Sequence, residues 1–198
     1  MLSELFVVEG LSAREAVEAA SDPVTQSVIA LQGKPLNAMR ASPKRIAEHT
    51  FYAALAEQLW KDHEQLHPRF SKVIILCDPD PDGVHISALI LAYFLKMHPR
   101  LLDLGLVFMV RVPCVQVVVQ NSGKRREFLG YADTETTLLR DIRAASLEIV
   151  SKLRFRGLAS IPPRLLARTC IASETRSIMP VSTDDALAMT RIFGITKR

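Results

Sequence analysis

The sequence predicts an α/β fold: a parallel β-sheet flanked by helices on both faces, with a small β-hairpin and a helical C-terminal extension. Three features carry that expectation. Strand-like runs alternate with segments of helical period from Leu5 to Val112. Val73-Ile74-Ile75-Leu76-Cys77 is a continuous apolar run rich in β-branched residues, the pattern of a strand buried on both sides. Directly after it come three acids spaced two apart, in Asp78-Pro79-Asp80-Pro81-Asp82-Gly83.

Each element has its own signal. Leu5-Phe6-Val7-Val8 is a short apolar β-prone run that stops at Glu9-Gly10. Ser12-Ala13-Arg14-Glu15 has capping-box spacing and predicts a helix to about Ser21. Val28-Ile29-Ala30-Leu31 reads as a second strand, broken by Gly33 and Pro35, and Pro43 opens a helical region that runs through Trp60 with room for a break. After Gly83, the residues Ile86, Leu89, Ile90, Tyr93, Phe94 and Met97 recur at helical spacing, and Pro99 ends that helix. Leu106 to Val112 is strand-like and is interrupted by Pro113. Val115–Val119 and Glu127–Leu129 flank Asn121-Ser122-Gly123-Lys124, a hairpin signal. A helix from Glu135 to about Ala145 and a mostly helical tail after Pro162 complete the chain. The expected division is a core over 1–115 and an extension over 116–198 packed on it.

Composition narrows the class of protein. With 198 residues the chain can bury one sizeable core, and 48% hydrophobic with 23% charged residues is ordinary globular usage. A net charge of +4 only mildly favours an anionic partner. Cys77, Cys114 and Cys170 are odd in number and far apart, which supports neither a disulfide framework nor a zinc site. The N-terminal residues carry acids where a signal peptide has a basic region, and no apolar run approaches the ~18 residues of a membrane span. A reducing cytoplasm and no membrane partner are therefore expected.

Glu9 and Asp78 each follow a predicted strand, so in a parallel sheet they meet at the edge where ligands bind. Pro79 and Pro81 bias Asp78 and Asp80 towards extended backbone, in which alternate residues share a face. Carboxylates crowded in this way call for a hard cation, and Mg²⁺ suits a few carboxylates completed by water. Asp82 is either a further ligand or a cap for the next helix. The same aspartates also read as solvated turn residues. An EF-hand is excluded, because the bidentate glutamate of its loop would fall at Leu89 and the loop follows a strand.

These segments resemble the TOPRIM (Rossmann-like) domain, and more narrowly the TOPRIM part of type II topoisomerase B subunits, those of DNA gyrase and topoisomerase IV. LFVVEGLSA resembles the family's EGDSA segment, and ALQGKPLNAMRA its PLRGKxLNVxKA. VIILCDPDPDGVHISALILAYF resembles IIxMTDADVDGxHIRTLLLTFF, and the later segments YADTE, LRFRGLASIPPRLLARTCIASETRSIM and DDALAMTRIF follow in family order. The resemblance implies an Mg²⁺-assisted DNA cleavage and religation site that works with a tyrosine carried by a separate A-type subunit. It implies Glu9, Asp78, Asp80 and Asp82 as metal ligands, with Glu9 also a general acid/base for the 3′-oxygen. Lys34, Asn37, His85, Arg154 and Arg156 are the implied DNA contacts, although His85 also reads as a capping or packing residue.

Departures from the pattern accompany the matches. Leu11 stands where the family has Asp, Gln32 and Ser87 where it has Arg, and Ala159-Ser160 replace the GE of GLGEM. The family's PPLYKV becomes Val112-Pro113-Cys114-Val115-Gln116-Val117. Ligand positions are kept while DNA-facing groups are lost, which bears on turnover more than on metal binding. No Walker-type loop is present, so the chain alone is not expected to bind ATP, and a separate ATPase subunit is a possible partner. Tyr52, Tyr93 and Tyr131 read as packing residues, and Lys124-Arg125-Arg126 as a basic hairpin tip. The leading expectation is a topoisomerase half-site active within a complex and associated with the nucleoid. The alternative is a catalytically impaired paralogue that binds DNA or a topoisomerase as a regulatory module. A nuclease or primase-like enzyme acting alone fits the later segments poorly.

Overall fold

The computed structural model describes residues 4–62 and 64–196. Strands β1 (Glu4–Glu9), β2 (Gln26–Leu31), β3 (Lys72–Leu76) and β4 (Val107–Val110) form a parallel sheet in the order β2-β1-β3-β4, as the alternating pattern predicted. A short strand β8 (Ile178–Pro180) adds antiparallel to β4 and closes that edge.

Alternate residues of the two central strands serve two different cores. Leu5, Val7, Val73 and Ile75 pack with α2 (Pro43–Ala47), α3 (Thr50–Leu59), α4 (Pro81–Met97) and α5 (Pro99–Asp103). Phe6, Val8, Ile74 and Leu76 face the other way, towards α1 (Leu11–Ala20), the 3₁₀ turn Leu158–Ser160 and α7 (Pro163–Leu166). A strand buried on both sides must be apolar at every position, which is what the runs at Leu5 and Val73 display.

The second sheet is larger than the expected hairpin. β5 (Val115–Asn121) and β6 (Lys124–Gly130) turn through Ser122 (φ 49°) and Gly123 (φ 79°), a tight turn that requires positive φ at both central residues. β7 (Glu148–Arg154) then pairs with the other side of β5. All its residues are exposed, so it carries none of the apolar alternation by which a half-buried strand announces itself. α6 (Glu135–Ala144) packs across Val115, Val117 and Val119.

Three further expectations change in detail. The strand predicted over 106–112 ends at Val110. Pro99 ends α4 and at once starts α5, since proline is well placed in a first helical turn. The tail after Pro162 is not wholly helical, because β8 lies between α7 and α8 (Thr183–Ile192). Gly83 and Ile86 through Phe94 are buried around the whole circumference of α4, held between the sheet and α8. No helix among the described residues is long and apolar enough to cross a membrane.

Two buried polar networks fix this arrangement. Glu4 takes both terminal nitrogens of Arg176, the Gln26 amide at 3.0 Å and the Lys72 ammonium at 3.3 Å. Burial pushes the Glu4 carboxyl up, but these partners together outweigh it and hold its pKa at about 2. The start of β1 is thereby tied to the segment leading into β8. The second network centres on His98, which is 2% exposed. Its Nδ1 accepts from Trp60 Nε1 at 3.1 Å, so Nε2 carries the proton towards Tyr93 Oη at 2.8 Å, and that hydroxyl donates to the Tyr52 carbonyl at 3.2 Å. Tyr52 and Tyr93 stack at 4.2 Å within the core, so both are packing residues.

Burial lowers the His98 pKa from 6.5 to about 4, with only half-buried Gln65 Oε1, 3.1 Å from Nδ1, to meet a second proton. A base with a depressed folded-state pKa contributes stability above its unfolded value and loses it as pH falls. Stability should therefore drop by about 3 kcal/mol between pH 6.5 and pH 4 on this account. Urea midpoints measured across that window should show this slope in the wild type and lack it in His98→Gln.

Candidate metal and nucleic-acid site

Parallel strands deliver their C-terminal ends to one edge, and the acids collect there. Val8 pairs with Leu76, so continuing the register sets Glu9 level with Cys77, with Asp78 next in line. Gly10, at φ 84°, turns the chain out of β1 into α1. On the other side α4 enters so closely that a Cβ on Gly83 would lie 2.3 Å from the Asp78 carbonyl oxygen. Glycine is required at that position by the contact and not by backbone conformation.

Each aspartate has found a different partner. Asp80 is the N-cap of α4, its Oδ1 accepting the Gly83 N–H at 2.8 Å with Pro81 first in the helix. The capping role foreseen for Asp82 thus falls to Asp80. Asp82 is exposed and instead meets Lys34 Nζ at 3.0 Å, joining the loop after β2 to the first turn of α4. Asp78 is half-buried, and its Oδ1 accepts the Leu158 N–H at 2.9 Å. Burial pushes the Asp78 carboxyl up, Leu158 N–H partly offsets this, and Asp80 adds to the rise.

Glu9 is raised in pKa by burial and by the acids around it. Burial, followed by the negative charges of Asp78, Asp82 and Asp80, raises its pKa to about 6 against the weaker opposing pull of Lys34. Cys77, beside it in the sheet, is pushed up to about 12 by burial and stays a neutral thiol. The structure thus brings Glu9, Asp78, Asp80, Asp82 and Lys34 into one electrostatic neighbourhood.

No three His, Cys, Asp or Glu side chains among the described residues are gathered as a metal cage. Asp78, Asp80 and Asp82 instead each accept from a different neighbour, the Leu158 N–H, the Gly83 N–H and the Lys34 ammonium. Mg²⁺ requires only one or two carboxylates and retains several waters. Glu9, Asp78, Asp80 and Asp82 offer hard oxygens from which one or two could be drawn, and Glu9 is raised first by burial and then by the charges of Asp78, Asp82 and Asp80.

The remaining sequence-selected residues are more scattered. Asn37 is half-buried and accepts the Met39 N–H at 3.0 Å, shaping the loop that follows Lys34. His85 stacks on Phe193, the residue that follows α8, at 5.1 Å, a packing contact on the first turns of α4. Arg156 is exposed just before Gly157, which itself lies against Asp78. Arg154 belongs to the second sheet, where Glu135 Oε2 holds it at 2.6 Å. A cavity of about 550 Å³ opens beside Asp78, between Cys77, Ser87, Met109, Arg111 and Tyr131. Arg111 covers the Tyr131 ring at 4.3 Å and is bound by both oxygens of Asp133 at 2.7 Å. Ser87, where the resemblance expects arginine, is buried and donates to Gly83 O at 2.9 Å. Sequence reasoning missed the Leu158 N–H altogether, since a backbone donor leaves no mark in residue identity.

The protein-family comparison matches the Toprim domain over residues 4–112. The DNA topoisomerase 4 B subunit of Rickettsia felis is 29% identical over 187 residues, covering 92% of this chain and 28% of that protein. The DNA gyrase B subunit of Thermotoga maritima is 30% identical over 198 residues, covering 98% of this chain and 30% of its own length. The DNA gyrase B subunit of Archaeoglobus fulgidus is 27% identical over 197 residues, covering 97% of this chain and 30% of that protein. The chain thus spans under a third of the length of these relatives, at 28–30%.

An acid whose pKa is raised in the folded state costs stability once it ionises. For Glu9 that loss develops as pH rises from 4.5 through about 6 and persists above. Glu9→Gln should therefore melt higher than the wild type at pH 8 in chelator, by an amount on the order of 2 °C given partial solvent screening. Scanning calorimetry should show the two melting together at pH 4.

Proposed function

The chain belongs to the Toprim domain family, and from that premise we propose that it supplies the acidic half-site of a type II DNA topoisomerase. In this reading it acts with Mg²⁺ in cleavage and religation of DNA in the nucleoid, alongside a separate polypeptide that carries the nucleophilic tyrosine. The observation that carries the reading is the convergence of Glu9 with the Asp78-Pro79-Asp80 turn at the ends of adjacent parallel strands, with the Glu9 pKa raised to about 6. The similarity of nearly the whole chain to gyrase and topoisomerase 4 B subunits supports it.

The residues divide the labour as follows. Mg²⁺, when bound, supplies charge neutralisation at the phosphate and the leaving oxygen. Glu9, Asp78, Asp80 and Asp82 are the candidate ligands. A carboxyl with a pKa near neutrality can hold a proton on its oxygen and exchange it with the DNA 3′-oxygen, and Glu9 is tuned in that direction. Lys34 brings positive charge beside Asp82, where a phosphate needs it. Asn37, His85 and Arg156 are the further proposed DNA contacts, while Arg154 can serve DNA only by releasing Glu135.

A second reading, a regulatory Toprim module without turnover, is favoured by one observation. Ser87 turns inward onto its own helix and offers no cation to DNA.

The test is calorimetric titration of Mg²⁺ into the wild type and into Asp78→Ala/Asp80→Ala, with and without a nicked duplex. The proposal expects saturable binding that the double substitution abolishes and that DNA strengthens. Incubation with DNA and a tyrosine-bearing A-type topoisomerase subunit should then give an Mg²⁺-dependent covalent DNA–tyrosine adduct. Binding without adduct selects the regulatory module, and absence of Mg²⁺ binding with or without DNA would overturn the cleavage-site reading.

A further inference from the structure

We propose that Gly157 and Leu158 form a positioning clamp that sets the orientation of the Asp78 carboxylate, one oxygen being held by the protein and the other left for the cation. The proposal rests on the cation-binding reading above and adds to it a part of the chain far from the acidic turn in sequence but in contact with it in space.

Gly157 has φ 179° and ψ 170°, an extended backbone that any residue can adopt. Conformational freedom therefore does not explain glycine here. Space does: a Cβ on Gly157 would lie 2.7 Å from Asp78 Oδ2 and 3.2 Å from its Cγ. The next residue donates its N–H to Asp78 Oδ1 at 2.9 Å. The carboxylate is thus bonded at Oδ1 and closely bordered by the Gly157 backbone on its Oδ2 side, where only a glycine leaves Oδ2 open. The backbone of Asp78 is confined as well, by the approach of Gly83 at 2.3 Å for an added Cβ. One acid is gripped between two glycines, one at each end of its side chain.

The clamp has its own supports. The Leu158 side chain is 1% exposed and sits in the core beneath α1, so its N–H cannot drift away from Asp78 without emptying that site. Ser160 Oγ accepts the N–H groups of Arg156 at 3.0 Å and Gly157 at 3.2 Å and donates to Gly157 O at 2.6 Å, folding the segment into a closed turn. Among the described residues Ser160 hydrogen-bonds only to the backbone of Arg156 and Gly157, so its effect on the cation passes through that segment. Partners that orient a metal ligand typically matter by about 10- to 100-fold in metal affinity.

The experiment compares the wild type with Gly157→Ala, Ser160→Ala and Ser160→Thr. It reads three quantities: melting temperature without metal, Mg²⁺ affinity by calorimetry, and amide hydrogen exchange at Leu158 in the metal-free protein. Gly157→Ala should melt within a few degrees of the wild type yet bind Mg²⁺ about tenfold or more weakly. Ser160→Ala should weaken Mg²⁺ and speed Leu158 exchange, and Ser160→Thr, which keeps the hydroxyl, should restore both. The Leu158 amide should also lose protection in Asp78→Ala. Wild-type Mg²⁺ affinity in Gly157→Ala, or a Leu158 amide indifferent to Asp78→Ala, overturns the clamp. Should Gly157→Ala fail to fold, the Ser160 pair decides by the same readouts. A wild type that takes no Mg²⁺ overturns the cation reading itself, and the clamp is then judged on the Leu158 amide alone.

Discussion

The burial of β1 and β3 on both faces is the constraint from which the rest of the structure follows. Each strand gives alternate residues to two separate cores, so neither has a face on which a polar side chain could remain solvated. Charge can enter only where the strands begin or end. At the beginning, Glu4 is fully compensated by Arg176, Lys72 and Gln26 and becomes a structural tie. At the end, burial raises the Glu9 and Asp78 carboxyls in pKa, neighbouring carboxylates add to the rise, and only the Leu158 N–H at Asp78 and the Lys34 charge at Glu9 oppose it. The same strands thus carry a closed acidic group at one end and an open acidic cluster at the other.

Closing the sheet over this edge requires unusually near approaches. α4 is apolar around its circumference because it is sandwiched between the sheet and α8, and its entry brings Gly83 onto the backbone of Asp78. The segment after β7 comes from the opposite direction, inserting Leu158 into the core beneath α1. Returning chain then adds β8 to the sheet edge. The acidic turn is therefore shaped by elements drawn from both halves of the sequence, although its charged residues lie close together in it.

What the sequence disclosed, and what it hid, follows from the same physics. The apolar run Val73–Cys77, the repeat from Ile86 to Met97 and the turn at Ser122-Gly123 were legible because burial and positive φ select residue types. β7 was not, since a strand exposed throughout places no demand on composition. β8 was hidden by its length and by Pro180, which is tolerated only because this strand lies at the sheet edge. The acids of the site could be named from their position after strands. Their individual partners could not: Asp80 rather than Asp82 caps α4, and the Leu158 N–H that meets Asp78 is a backbone group invisible in residue identity.

The electrostatics of the cluster also bear on how ligands would share it. Among the described residues Lys34 pairs with Asp82 alone, while the charges of Asp78, Asp80 and Asp82 act together on Glu9, so a lone phosphate approaching Glu9 and Asp78 meets repulsion, and a lone cation meets attraction. A phosphate becomes welcome only with positive charge between it and the acids. If the proposed cation and a phosphodiester both bind there, they are coupled ligands, and by linkage each must raise the affinity for the other by the same factor. The coupling is strongest where water is least able to screen it, which directs attention to half-buried Asp78 and Glu9 ahead of exposed Asp82. In the proposed site Asp82 and Lys34 would adjust the field at the rim, and Glu9 and Asp78 at the strand ends would govern whether the two ligands bind together.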